Sequence, residues 1–193
     1  MIIGITGGTG SGKTTLLKLL EEHGFAVLDC DAIYHQLLQT DKSLLDAIEA
    51  RFPGVVQSGE LQRKKLGAMV FADPAALADL NRITHSAVKA EVLRLLEQCP
   101  ENTAIDAIGL FESGLSELCK LTIAVTAPLN ARIRRLMHRE GISEKYARAR
   151  ISAQRPQEDF VCLCDHTLEN NGTEAEFREK CLAFLKYRGI LNL

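Results

Sequence analysis

Gly7-Gly8-Thr9-Gly10-Ser11-Gly12-Lys13-Thr14 decides the reading of this chain. The eight residues match G-x-x-x-x-G-K-[ST] without a mismatch. The apolar run Met1-Ile2-Ile3-Gly4-Ile5-Thr6 before them reads as a buried strand, and Leu16-Leu17-Lys18-Leu19-Leu20-Glu21-Glu22 after them reads as a helix that Gly24 stops. Strand, glycine loop and helix turn backbone N–H groups toward one point. Those dipoles and the helix N-terminus favour a nucleotide polyphosphate. In this motif Lys13 reaches the β- and γ-phosphates, and Thr14 sets its hydroxyl on Mg²⁺. The spacing therefore predicts binding of ATP or GTP.

Working outward, further apolar runs follow at intervals. Phe25-Ala26-Val27-Leu28 reads as a second strand, ending in Asp29-Cys30-Asp31. Strands are also expected at Thr103 to Leu110, Leu121 to Thr126 and, more weakly, His166 to Glu169. Apolar strands separated by helices predict an α/β fold with a parallel sheet buried on both faces. Between Asp31 and Cys99 the pattern is mostly helical and too long for a simple crossover. Asp73-Pro74 starts a helix there, with Leu77, Leu80, Ala87, Val88, Val92 and Leu95 on one face. Thr173-x-x-Glu176 is a capping box for a last helix burying Phe177, Cys181, Phe184 and Leu185.

The 193 residues suit one domain, with 46% apolar and 25% charged residues. A net charge of −2 gives no overall drive toward nucleic acid or an acidic membrane. No apolar run has the length of a membrane span, and the N-terminal strand lacks the basic n-region of a secretory signal, so secretion is not expected. A cytoplasmic setting is expected. It agrees with reading Cys30, Cys99, Cys119, Cys162, Cys164 and Cys181 as reduced thiols. Cys162-Leu163-Cys164 lacks the spacing of a zinc site.

Charge is concentrated in one place. From Arg132 to Arg155 there are eight Lys and Arg residues against two Glu, a local excess of six positive charges. Such a segment is a solvated helix face, a nucleic-acid binder, though nothing else here resembles such a module, or a lid over phosphates. The phosphate loop in the same chain favours the lid, because positioned cations stabilise the charge that develops in phosphoryl transfer.

Several carboxylates are candidates for chemistry. Asp29 and Asp31 follow the second strand, at the sheet edge where ligands of parallel sheets bind, and suit a base or a metal contact. Asp31 is equally readable as the N-cap of a helix over Ala32 to Leu38. Asp106 ends an apolar strand, a position that often holds Mg²⁺, and Glu112 is the alternative carboxylate at that edge. His85, on the flank of the long helix, reads as a packed or capping residue.

Together these residues resemble the dephospho-CoA kinase family, nearly end to end. Thr6 to Thr15 resembles its T-G-G-x-G-S-G-K-S/T-T, and Asp29-Cys30-Asp31 its D-A-D. Leu61-Gln62-Arg63-Lys64-Lys65-Leu66 with Val70-Phe71 resembles its L-x-R-x-x-L…V-F. Asp106 to Glu112 resembles D-x-P-L-L-F-E; Arg134, Leu136, Arg139 and Gln154 resemble R-x-L-x-x-R…Q; Asn170 or Asn171 before Gly172 resembles N-x-G. The chain departs from the family at Ser86, where Pro is usual after His, and at Ile108-Gly109, where Pro-Leu is usual.

The resemblance implies a three-layer P-loop kinase with a parallel sheet. Its core would cover about 1–30, 100–137 and 157–193, its helical substrate lobe 31–99 and its basic lid 138–156. It implies transfer of the ATP γ-phosphate to the 3′-hydroxyl of dephospho-CoA. By the resemblance Asp31 is the base and Arg139 the lid arginine, acting with Lys13. Gly10, Ser11, Gly12, Lys13, Thr14, Thr15 and Asn171 hold the nucleotide, and Thr14 and Asp106 hold Mg²⁺. The expected partner is the small molecule alone, with no nucleic acid and no membrane, and the chain is a monomer or weak homo-oligomer. The rival readings are another small-molecule kinase, such as one for nucleoside monophosphates, and a non-catalytic nucleotide switch.

Overall fold

The computed structural model describes residues 1–71 and 73–191. The element order is β1 (Ile2–Thr6), α1 (Lys13–Glu22), β2 (Ala26–Asp29), α2 (Cys30–Thr40), α3 (Lys42–Arg51), β3 (Val56–Gln57), β4 (Glu60–Leu61), α4 (Arg63–Val70) and α5 (Pro74–Leu96). It continues with β5 (Thr103–Asp106), a 3₁₀ turn (Leu115–Leu118), β6 (Leu121–Thr126), α6 (Leu129–Glu140), α7 (Glu144–Ser152), α8 (Gln157–Leu163), β7 (His166–Glu169) and α9 (Glu174–Tyr187). The chain divides into two compact units. One comprises Met1–Leu28, Cys99–Phe111 and the chain from Leu115 on; the other comprises Asp29–Gln98 with Glu112–Gly114.

The first unit is built on a five-stranded sheet of order β2-β5-β1-β6-β7. β1 pairs in parallel with β5 (Ile3 opposite Ala104) and with β6 (Ile5 opposite Ile123), and β6 pairs in parallel with β7 (Val125 opposite Leu168). β6 is buried along its whole length, as expected of a central parallel strand covered on both faces. Ile3, Ile5, Ile123 and Val125 pack with Leu16, Leu19 and Leu20 of α1 and with Phe177, Cys181 and Leu185 of α9. Gly4 is required in β1, since a Cβ there would stand 2.8 Å from Cys119 Sγ and from Leu110 Cδ2. A smaller core of Ile133, Leu136, Ala147 and Ile151 holds α6 against α7.

The strand expected from Thr103 to Leu110 stops at Asp106. Ala107 still donates to Ile5 O at 3.1 Å, and Ile108 O accepts the Thr6 hydroxyl at 3.2 Å. These residues stay apolar because they remain against β1 after leaving the ladder.

The second unit is helical. Asp41 caps α3 by accepting from Ser43 N at 2.8 Å and Leu44 N at 3.2 Å. Arg51 ties α3 to α5 through Asp79 at 2.7 Å. The long helix starts at Pro74, with Asp73 Oδ1 accepting from Ala75 N at 2.8 Å. Its buried residues are Ala76, Thr84, Val88 and Val92. Thr84 tolerates burial because its hydroxyl donates to Leu80 O at 3.0 Å. A short antiparallel hairpin, β3 with β4, turns at Ser58-Gly59, both at positive φ as such tight turns need. Among the described residues no helix is long and apolar enough to cross a membrane.

Candidate active site

β1 ends at Thr6 and α1 begins at Lys13, so the connection is Gly7–Gly12. Gly12 is the residue before the helix and has φ +105°, a left-handed backbone that L side chains resist. A Cβ on Gly8 would strike the Arg132 guanidinium, and one on Gly10 would stand 2.8 Å from Arg132 O. Glycine is therefore demanded by the approach of α6 as well as by the turn.

The loop carbonyls are held one by one. Lys13 Nζ donates to Gly7 O at 3.0 Å and Arg132 Nε to Thr9 O at 2.9 Å. Arg135 Nη1 donates to Gly10 O at 3.1 Å and Ser11 O at 3.2 Å, and Asn170 Nδ2 also reaches Ser11 O at 2.9 Å. In a planar trans peptide the N–H points opposite to the C=O. Fixing Thr9 O and Ser11 O on these side chains thus aims the N–H groups of Gly10 and Gly12 the other way. Neither amide makes a hydrogen bond among the described residues. The first N–H groups of α1 add further donors that a helix cannot satisfy internally. Ser11 is 1% exposed, and its hydroxyl has no partner among the described residues.

Arg132 is 6% exposed, and burial pushes its guanidinium below the usual arginine range. It has no carboxylate partner among the described residues; its bonds go to Thr9 O and to the side-chain oxygen of Gln154 at 3.2 Å. Arg135 is lowered first by burial and then by the neighbouring Arg134. Its Nη2 is held by Asn170 Oδ1 at 2.9 Å. Cations so short of anions raise the positive potential around the loop, which suits a polyphosphate.

Of the residues singled out in the sequence, Gly10 to Thr15 form the loop and the first turn of α1. Lys13 Nζ also lies 3.8 Å from Asp106 Oδ1, at the end of β5. Glu112, the alternative carboxylate, clusters with the helical unit. Asp29, not Asp31, caps α2: Asp29 Oδ1 accepts from Asp31 N at 2.9 Å and Ala32 N at 3.0 Å. The reading of Asp31 as the cap is corrected by this geometry, which starts the helix at Cys30. Asp31 is exposed in its first turn, and its carboxylate makes no hydrogen bond or ion pair among the described residues. Arg139, at the end of α6, donates to Glu140 Oε1 at 2.5 Å and is well exposed. Glu140 also receives Arg150 on its second oxygen. Asn171 donates to Glu169 Oε2 at 3.1 Å and lines a surface cavity with Gly172 and Phe177. Its neighbour Asn170, 4% exposed, is the one that meets the loop.

The sequence pattern alone does not connect Arg132, Arg135 and Asn170 to the loop. One signal was available: Arg132, Arg135 and Arg139 recur at i, i+3 and i+7, on one side of a helix.

A glycine loop between a central parallel strand and a helix, backed by basic side chains, defines the phosphate-loop nucleotide-binding class. Solved shikimate kinases share this fold, with a TM-score of 0.54 at 17% identity for the one from Bacteroides thetaiotaomicron, over 96% of this chain and 98% of that one. The family profile described as dephospho-CoA kinase matches residues 1–176. A dephospho-CoA kinase of Geobacillus kaustophilus is 37% identical over 96% of both chains, and one from Thermobifida fusca is 36% identical over 90% of this chain and 89% of its own. The solved dephospho-CoA kinase from Campylobacter jejuni has a TM-score of 0.67 at 25% identity, covering 98% of each chain. The chain belongs to the dephospho-CoA kinase family, and it is an ATP-dependent kinase.

Proposed function

We propose that the chain transfers the γ-phosphoryl group of ATP to the 3′-hydroxyl of dephospho-CoA, giving CoA and ADP, with Asp31 as the base. The observation that carries this reading is the loop itself. Its carbonyls are taken by Lys13, Arg132, Arg135 and Asn170, while the Gly10 and Gly12 amides and the Ser11 hydroxyl have no partner among the described residues. A buried hydroxyl without a partner costs about 1–3 kcal/mol, and a phosphate oxygen relieves that cost.

In this reading Gly10, Ser11, Gly12, Lys13, Thr14 and Thr15 cradle the nucleotide phosphates, and Asn171 flanks the nucleotide. The O3′–Pγ bond forms as the bond from Pγ to the β,γ-bridging oxygen breaks. Asp31 accepts the hydroxyl proton, late, since a loose transition state asks little of the base. Its unengaged carboxylate supports that role. Lys13 and Arg139 spread charge over the equatorial oxygens. The Thr14 hydroxyl and the Asp106 carboxylate are hard oxygen donors of the kind Mg²⁺ takes alongside substrate phosphates and water. Bound there, Mg²⁺ would neutralise charge on the β- and γ-oxygens. Residues 31–99 carry the acceptor, and residues 138–156 close over the phosphates to exclude water. The chain works in the cytoplasm as a monomer or weak homo-oligomer.

The test is ADP release measured with and without dephospho-CoA. The reading predicts release that depends on dephospho-CoA. Turnover with a nucleoside monophosphate but not with dephospho-CoA overturns it, as does tight GTP binding with only slow, acceptor-independent hydrolysis.

A further inference from the structure

Thr9 is the loop residue most completely tied to the rest of the fold, and the ties come from far along the chain. Its N–H donates to Gln154 Oε1 at 2.9 Å, its hydroxyl accepts from Gln154 Nε2 at 2.8 Å, and its C=O accepts from Arg132 Nε at 2.9 Å. Gln154 Oε1 also accepts from Arg132 Nη2 at 3.2 Å, so the two clamping side chains brace each other. Gln154 lies just past Ala153, the C-cap of α7, its own N–H donating to Ile151 O at 3.2 Å.

Thr9 and Gly10 are the central pair of a tight turn closed by Ser11 N to Gly8 O at 3.1 Å, with Gly10 at φ +78°. That φ is the value a type II turn needs in its third residue. The Thr9–Gly10 peptide is the unit that flips when such a turn changes type, and its flip reverses the direction of Gly10 N–H. Arg132 holds the carbonyl of that peptide, and Gln154 holds both Arg132 and the preceding N–H.

We infer that Gln154 is a positioning residue for nucleotide binding, which locks the Thr9–Gly10 peptide so that the Gly10 amide is presented to a phosphate. A carboxamide suits the position because one group must accept from two N–H donors and donate to a hydroxyl. It also makes the orientation of the phosphate loop depend on the segment that ends the α6–α7 hairpin. The inference rests on reading the loop as the nucleotide's site.

Gln154→Met keeps the shape and removes the bonds. Calorimetric ADP binding to this variant is expected to weaken about tenfold and the KM for ATP to rise in step, with the KM for dephospho-CoA within about twofold and Tm little changed. In a Thr9→Val background the loss on adding Gln154→Met is expected to be smaller, because one shared bond is already gone. If Gln154→Met binds ADP like the wild type, or weakens both substrates equally with a lowered Tm, Gln154 is only packing and the inference is overturned. Lys13→Ala separates the two levels. If that variant binds ADP normally, the loop is not the nucleotide site. If it fails while Gln154→Met binds normally, the positioning role alone is lost.

Discussion

Lys13 Nζ stands 3.8 Å from Asp106 Oδ1, at the N-terminus of α1 and the C-terminus of β5, with both side chains less than a fifth exposed. The pair is too long for a hydrogen bond, and Lys13 is anchored instead on Gly7 O at 3.0 Å. The lysine therefore keeps its place in the loop if the carboxylate is neutralised. Asp106→Asn is expected to raise the Mg²⁺ concentration for half-maximal rate about tenfold or more, with ADP binding in the absence of metal little changed. A Mg²⁺ titration of the initial rate checks this. An unchanged midpoint would remove Asp106 from the metal's surroundings.

Arg139 rests on Glu140 at 2.5 Å, in a site well exposed to solvent, and Arg150 shares the same carboxylate. Exposed pairs of this kind are weak, so Glu140 does not hold Arg139 back from a phosphoryl group. Arg139→Ala is expected to lower kcat about 10²-fold or more with the KM for ATP within about threefold, as for a charge used in the transition state. A rise in the ATP KM with kcat unchanged would make Arg139 a binder of the ground state.

Asp165 joins β6 to the start of β7. Its Oδ2 accepts from Thr122 N and from the Thr122 hydroxyl, each at 2.8 Å. The Thr122 hydroxyl, then its N–H, holds the Asp165 carboxyl below its usual range. A carboxyl whose pKa is lower in the folded state adds stability that is fully present above its unfolded value, about 3.9. That stability is lost as pH falls through the lower, folded value. Asp165→Asn is expected to lower Tm at neutral pH by a few degrees, and the gap from the wild type should close below about pH 4. Thermal melts across pH 3 to 7 report it; a gap that widens in acid would contradict the assignment.

Much of this architecture is legible in the residues because burial writes itself as apolar runs. Leu121 to Thr126 and His166 to Glu169 coincide with β6 and β7. The capping box at Thr173 and Glu176 is present, because its two bonds are local. The hairpin of β3 and β4 escapes notice, since two-residue strands carry no periodicity and only Ser58-Gly59 marks the turn. On α5 the apolar count selects Leu77, Leu80, Ala87 and Leu95, which are only half-buried, and passes over Ala76 and Thr84 on the buried line. A small residue and a hydroxyl that satisfies itself do not look like core. Arg132 and Arg135 illustrate the same limit at the site. A run of cations announces charge, and only the fold reveals that two of them are spent on backbone carbonyls, Arg132 buried and Arg135 half-buried. Asp29 and Asp31 are indistinguishable by spacing; the cap hydrogen bonds separate them.

The central claim is that a carboxylate at position 31 serves the acceptor while the loop holds the donor. Single-turnover phosphoryl transfer by Asp31→Asn, measured alongside ADP affinity in the same preparation, tests it most directly. The account predicts a transfer rate reduced at least about 10²-fold, equivalent to about 2.7 kcal/mol of barrier, with ADP affinity unchanged. A rate within about threefold of the wild type, well under 1 kcal/mol, would contradict it.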